Sequence, residues 1–233
     1  MVNYVIINGV NSNTIPGLAI NELPPISKPL QRSLIEEIDG RDGDLITKLG
    51  YGAYDKIMTI GLFHTFDINQ VIAFFNGEGT ITFSNEPDKV YNFTILDQID
   101  YEKLINFKTA TITIHCQPFK YPITNTPISL STGNNTINNG GNIYSKPLIT
   151  LTGSGTITIS LGDSQIFSID MTGLTTIAID TTLLEAYDPN NGNLLNRHVT
   201  GDYSKFKLNP GNNILNLGGT ITSATITNVT RWL

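Results

Sequence analysis

Apolar residues recur mainly at every second position of this chain, and Gly, Pro, Asn and Asp interrupt the alternation at short intervals. That pattern predicts short β-strands joined by turns. Residues 4–7 run into Asn8-Gly9, the pair best suited to a type I′ turn, so a strand and tight turn are expected there. Residues 18–23 read as a second extended piece that Pro24-Pro25 stops. Residues 32–38 and 45–47 flank the polar turn Asp39-Gly40-Arg41-Asp42-Gly43-Asp44 and predict a long hairpin. Further strands are expected over 80–84, 90–98 and 109–117, with Ile112, Ile114 and Cys116 sharing one face. One stretch has helical period: Asp67 is placed as a cap, Ile68, Val71, Ile72 and Phe75 share a face, and Asn76-Gly77 supplies a left-handed stop. Its apolar face is expected to close a β core.

Residues 122–142 are rich in Pro, Gly and Asn and include a low-complexity run over 132–142, which places the domain boundary there. Short alternating strands follow over 148–152, 156–161, 165–169 and 175–179, separated by glycine turns. In Lys207-Leu208-Asn209-Pro210-Gly211-Asn212-Asn213-Ile214, Pro210 presets φ while Gly211 and Asn212 tolerate positive φ. The expectation is a hairpin corner, with Phe206 and Leu208 on one face entering it and Ile214 leaving. The last strand is expected over 220–230. The fold class is therefore mainly β: two β-sandwich domains, the first carrying one short α-helix and an extended β-hairpin arm.

Composition narrows function more than it narrows fold. Of 233 residues only 15% are charged, and the net charge is −6. Residues 1–130 hold nine Lys and Arg against fourteen Asp and Glu, and the rest hold five against six. Neither half has the basic cluster that nucleic-acid binding requires. The lone Cys116 sits in an apolar alternating run and reads as a small buried side chain, not a reactive one. The N-terminal stretch lacks a basic leader segment and breaks at Asn8-Gly9, so neither a signal peptide nor a membrane span is expected.

No catalytic constellation emerges. His64, His115 and His198 each lack a partner at metal-ligand spacing. Loops beginning at Asp39 and Asp188 invite a calcium reading, but the sixth position should be Gly and the twelfth Glu. They are Asp44 and Gly50 in the first loop, and Asn193 and Val199 in the second. There is no nucleophile elbow, P-loop or dinucleotide fingerprint. Neither an enzyme nor a cofactor is expected.

Four segments taken in order carry a resemblance. They are Tyr144-Ser145-Lys146-Pro147-Leu148-Ile149, Gly153-Ser154-Gly155, Ile177-Ala178-Ile179-Asp180 and the Lys207 to Ile214 stretch. Together they resemble the C-terminal domain of the siphophage distal tail (Dit) proteins, the ring that joins the tail tube to the baseplate. Gly40-Arg41-Asp42-Gly43-Asp44, Gly50-Tyr51 and Lys56-Ile57-Met58-Thr59-Ile60 look like that family's N-terminal pattern. Cys116-Gln117-Pro118-Phe119-Lys120-Tyr121 resembles the way its first domain ends.

The resemblance implies a ring-forming β-sandwich over 1–130 and a galectin-like or carbohydrate-binding-module-like β-sandwich over 131–233. Whether Arg231-Trp232-Leu233 stays with the second domain or returns to the first is open. The implied partners are five further copies in a homo-hexamer, the major tail tube protein, the tail-associated hub or lysin protein, and receptor-binding or peripheral baseplate proteins. The implied place is the virion tail tip, assembled in the host cytoplasm, with DNA passing through the ring unbound and no membrane involved.

A ring needs interfaces, and the polar hairpin is too long and too glycine-rich to serve a core. Its residues Gly40, Arg41, Asp42, Gly43, Asp44 and Tyr51 are the candidate oligomer interface. The alternative function is a non-catalytic carbohydrate-binding module or adhesin. A sugar platform needs exposed rings, and between residues 131 and 230 the aromatics are Tyr144, Phe167, Tyr187, Tyr203 and Phe206.

Overall fold

Asn8 and Gly9 both take positive φ, 49° and 84°, as a type I′ turn demands. They fold β1 (Val5–Ile7) back onto β2 (Val10–Asn11), with Ile7 opposite Val10. This is a computed structural model, and it describes residues 2–233. The described chain separates into two units, one of residues 2–123 together with Leu233 and the other of residues 124–232, so Arg231 and Trp232 stay with the second unit.

In chain order the first unit continues with β3 (Leu18–Glu22), β4 (Gln31–Glu37), β5 (Asp44–Tyr51), β6 (Tyr54–Leu62), α1 (Ile68–Phe74), β7 (Glu78–Phe83), β8 (Lys89–Thr94), α2 (Tyr101–Phe107) and β9 (Thr109–Pro122). Seven of its strands form one antiparallel sheet in the order β2-β1-β7-β8-β9-β6-β3, while β4 and β5 pair only with each other. Alternation decides what faces the core. Met58, Ile60 and Leu62 of β6 point in and Ile57 points out, and Ala110, Ile112, Ile114 and Cys116 of β9 are buried together. The same cluster takes Val71, Phe74 and Phe75 from α1 and its end, and Leu104 from α2.

Asp67 caps α1, its carboxylate accepting from the Asn69 N–H at 2.9 Å. The inward face differs from expectation in one place: Ile72 is 38% exposed, and Phe74, three residues after Val71, is buried instead. The second helix was not expected from the sequence. Asp100 caps it through the Lys103 N–H at 2.8 Å and Lys108 ends it with φ of 60°, but only Leu104 is buried. One buried residue leaves no readable period. The strand expected over 90–98 accordingly stops at Thr94.

The second unit contains β10 (Ile128–Leu130), β11 (Gly133–Asn139), β12 (Leu148–Leu161), β13 (Ser164–Asp170), β14 (Thr176–Asp180), β15 (Glu185–Tyr187), β16 (Val199–Gly201) and β17 (Gly211–Thr227). Two long strands organise it. Residues 148–152 of β12 lie between β14 and residues 223–227 of β17, whereas residues 158–161 lie between β13 and residues 215–218. Each long strand thus serves both layers, and Ile149, Leu151, Ile157, Ile159, Leu215, Leu217, Ala224 and Ile226 meet in one core.

This changes the reading of Gly153-Ser154-Gly155. It is a bend inside one continuous strand and not a turn between two strands, because the register with β17 shifts there while pairing resumes on both sides. The glycines allow the close approach. A Cβ on Gly153 would stand 2.4 Å from the Thr220 carbonyl oxygen, and one on Gly219, whose φ is 103°, 2.4 Å from that of Thr156.

Two further expectations are revised. The low-complexity run over 132–142 contains β11, a seven-residue strand paired with β17 from Gly133↔Leu217 to Asn139↔Gly211. Its Asn side chains made it read as linker, yet Asn138 donates to Asn212 across the pair at 2.7 Å and Asn139 donates to the Ile143 and Leu208 carbonyls at 2.9 Å each. Nor is Pro210-Gly211-Asn212 the corner of a two-strand hairpin. Leu208 bridges Ser145, and β17 starts at Gly211. The Asn213 carboxamide holds the turn, accepting from the Asn209 N–H at 2.9 Å and donating to the Asn209 carbonyl at 2.8 Å. Ile214 is 44% exposed, and Leu215 and Leu217 enter the core in its place.

Candidate assembly interface

The hairpin arm is a two-stranded sheet of its own, separate from the seven-stranded sheet of the first unit. β4 and β5 pair from Gln31↔Tyr51 to Glu37↔Asp44, with one irregularity where Arg32 faces Gly50 and Ser33 faces Lys48. Gly50 takes φ of 112° there, leaving Leu49 as the extra residue of a bulge. At the tip, Gly40 and Gly43 have φ of 79° and 77°, and the Arg41 N–H donates to the Ile38 carbonyl at 3.1 Å. Of the candidate residues, Gly40, Arg41, Asp42, Gly43 and Asp44 are exposed at this tip. Tyr51 is at the opposite end, half-buried, its ring edge-on to Phe119 at 5.7 Å. The structure therefore does not bring the six together: five mark the tip and one the root.

Between them lies what the sequence reading passed over. Leu34, Ile35, Ile38, Leu45, Ile46 and Leu49 are 39–59% exposed. Ile35 faces Ile46 across the pair, on one side of the ribbon, and their neighbours Leu34 and Leu45 fall on the other side. A two-stranded ribbon is marginally stable by itself, and this one exposes aliphatic side chains on both faces. Covering the five between Leu34 and Leu49 that belong to the strands would contribute roughly 1 kcal/mol each. The signal was present as the doublets Leu34-Ile35 and Leu45-Ile46, which break the alternation and give each face an apolar residue.

The root is held by a buried polar group of side chains. Lys56, on β6, is 3% exposed and donates from Nζ to the Pro25 carbonyl at 3.0 Å, while Asn85 donates to that of Pro24 at 3.0 Å. The segment entering the arm is thereby tied to the sheet. Lys56 also lies over the rings of Tyr91, Tyr54 and Phe83 at 5.0–5.5 Å. Burial lowers its pKa. Beside it Lys120 pairs with Glu86 at 2.8 Å, and Glu86 accepts a second hydrogen bond from the Tyr91 hydroxyl.

Cys116 belongs to this neighbourhood, and burial pushes its thiol up from 9.0 to about 12. The folded chain keeps that proton where the unfolded chain has released it. The resulting stability is complete below pH 9 and is lost as pH rises toward 12. Lys56 acts in the opposite sense below its ordinary value, so the expected result is read as a difference: the alkaline fall in unfolding free energy that starts near pH 9 disappears in Cys116→Ala. A later fall, from the buried hydroxyls of Tyr54 and Tyr91, remains. Equilibrium unfolding across pH 8–11 checks this; identical pH profiles for the two chains would contradict it.

The chemistry available elsewhere is sparse. His115 pairs with Asp55 at 2.7 Å in a concavity of about 110 Å³ lined also by Leu96, Asp97 and Thr113. That is smaller than the 300–1,000 Å³ typical of ligand pockets. In the Asp188 loop the carboxylate already accepts from Asn190 and Asn191. Among the described residues no group of three or more His, Cys, Asp or Glu side chains is arranged to hold a metal, and no helix is long and apolar enough to cross a membrane.

Solved structures share this architecture over its full length. The chain matches the SPP1 Dit protein (gp 19.1), described as a paradigm of the hub adsorption apparatus in phages infecting Gram-positive bacteria. The TM-score is 0.71 at 16% identity, covering 100% of both chains. The fold is Dit-like. A chain of the phage P2 baseplate in its activated, calcium-bound conformation matches at a TM-score of 0.51 and 12% identity, covering 100% of this chain and 99% of the other. No family model and no curated protein matches the sequence. Within the Dit-like fold, three of the C-terminal segments that carried the resemblance meet in pairs in the second unit. Ser145 bridges Leu208, Leu148 and Ile149 pair with Asp180 and Ile179, and Lys207 lies over the Tyr144 ring at 5.0 Å.

Proposed function

We propose that this chain is a structural subunit of a phage tail tip, assembling through its first unit into a hexameric ring between the tail tube and the tail-associated hub. Receptor-binding or peripheral baseplate proteins attach at the outside, and the role is assembly without turnover. The full-length Dit-like fold supports this reading, since both units match along one continuous chain. The arm supports its ring component: a solvent-exposed ribbon with aliphatic residues on two faces has the form of an element completed by a neighbouring copy.

The second unit gives little support to a sugar-binding role. Phe167 and Phe206 are fully buried, and Tyr203 packs edge-on to Phe167 at 5.1 Å. Tyr144 is covered by Lys207 and Arg231, and Tyr187 is only partly exposed. These rings offer no open platform.

Native mass measurement with negative-stain imaging tests the proposal. The expected result is a closed six-membered ring with a central hole. Replacing residues 33–48 by a short Gly-Ser link is expected to leave a folded monomer. A wild-type monomer, or a ring that persists without the arm, would overturn the arm-mediated ring.

A further inference from the structure

The arm's charges are segregated along its length. Its outer part, residues 35–46, carries Glu36, Glu37, Asp39, Asp42 and Asp44 against the single Arg41. Its root carries Lys28, Arg32 and Lys48, with no acidic residue over 26–34 or 47–52. All nine side chains are exposed, and none forms an ion pair among the described residues. The rows Ser33↔Lys48 and Glu37↔Asp44 are four residues apart on β4, roughly 13 Å at strand rise. That exceeds the screening length of about 8 Å at physiological ionic strength, so the two ends of one arm do not neutralise each other.

We propose that the acidic tip of each arm docks on the basic root of the next copy's arm, so that the ring closes head to tail and in one direction. This rests on the arm-mediated ring proposed above and specifies its contact. Parallel arms would set five carboxylates against five, whereas tip-on-root places opposite charges together. It also leaves the aliphatic side chains Leu34, Ile35, Leu45 and Ile46, where the outer part meets the root, for the neighbouring first unit to cover. A heterologous contact of this kind repeats around a ring, because each copy offers one tip and one root.

The test uses two charge-reversed full-length chains. One carries Glu36→Lys, Glu37→Lys and Asp44→Lys at the tip; the other carries Lys28→Glu, Arg32→Glu and Lys48→Glu at the root. Each alone is expected to need about tenfold or more higher concentration than wild type to assemble, since like charges then meet at every contact. Mixed in equal amounts they are expected to recover ring formation, in alternating order, because each reversed end then meets its complement. Circular dichroism and thermal unfolding of the separate chains verify that both fold. Wild-type-like assembly of either chain alone overturns the proposal, and so does failure of two folded chains to recover on mixing. If the Gly-Ser replacement abolishes the ring while charge reversal has no effect, the arm-mediated ring stands and the tip-on-root contact falls. A ring that survives the Gly-Ser replacement removes both.

Discussion

Glu86→Ala is expected to cost the first unit about 3–5 kcal/mol, because it leaves a buried lysine without its counter-charge. Lys120 is 5% exposed and its ammonium reaches Glu86 at 2.8 Å; the other Glu86 oxygen accepts from the buried Tyr91 hydroxyl. Removing the carboxylate strands both donors. The paired change Glu86→Gln with Lys120→Met is expected to cost less than the two single changes summed, since the buried charge leaves with its partner. Hydrogen exchange at β8 and β9 amides during denaturant titration measures the effect on this unit alone, and a near-neutral Glu86→Ala would show that the pair is solvated. The consequence reaches the arm: Asn85, next to Glu86, holds Pro24, and Lys56 in the same cluster holds Pro25. A loosened cluster is therefore expected to impair ring assembly before the sheet unfolds.

Gly219→Val is the second change with a large expected effect, and it acts on the other unit. At φ of 103° an L side chain is strained, and the new Cβ would stand 2.4 Å from the Thr156 carbonyl oxygen and 3.1 Å from the Ile157 Cα. Both obstacles are backbone, so no rotamer relieves them. The register shift between β12 and β17 occurs at this place, and both strands continue into each layer. The expected cost is about 3–5 kcal/mol, with lost protection at Ile157, Ile159, Leu215 and Leu217. Limited proteolysis and hydrogen exchange report it, and full retention of protection at those residues would show that the corner can open without penalty. At Gly155, φ is 68° and no atom lies within 4 Å of an added Cβ. Gly155→Ala is consequently the milder control, limited to backbone strain.

What could be read from the chain is what depends on neighbours in sequence. The type I′ turn at Asn8-Gly9, the Asp67 cap, and the inward set Ile112, Ile114 and Cys116 follow from local dihedral preference and period-two alternation, and all are present. The mainly β class and the Dit-like character rest on the same local signals taken in order along the whole chain. The weak spots have a common physical cause. α2 contributes one buried side chain, so it lacks a period, and β11 is built of Asn, Thr and Gly, residues whose local preference is for turns. Its strand conformation comes from pairing with β17, more than seventy residues away.

Tertiary structure alone decided which strands are continuous and which residues lack a partner. Gly153-Ser154-Gly155 reads as a turn until the register of β17 on both sides shows one bent strand, because only a long-range partner distinguishes a corner from a chain reversal. Likewise the sequence placed a long hairpin over residues 32–47, with a polar turn at 39–44, and drew attention to its glycines. That Leu34, Ile35, Leu45 and Ile46 stay exposed on both faces of that hairpin is a property of the folded first unit, whose seven-stranded sheet forms without them. Burial is a sum over distant contacts, so the doublets Leu34-Ile35 and Leu45-Ile46 mark an apolar residue on each face without fixing whether anything covers it.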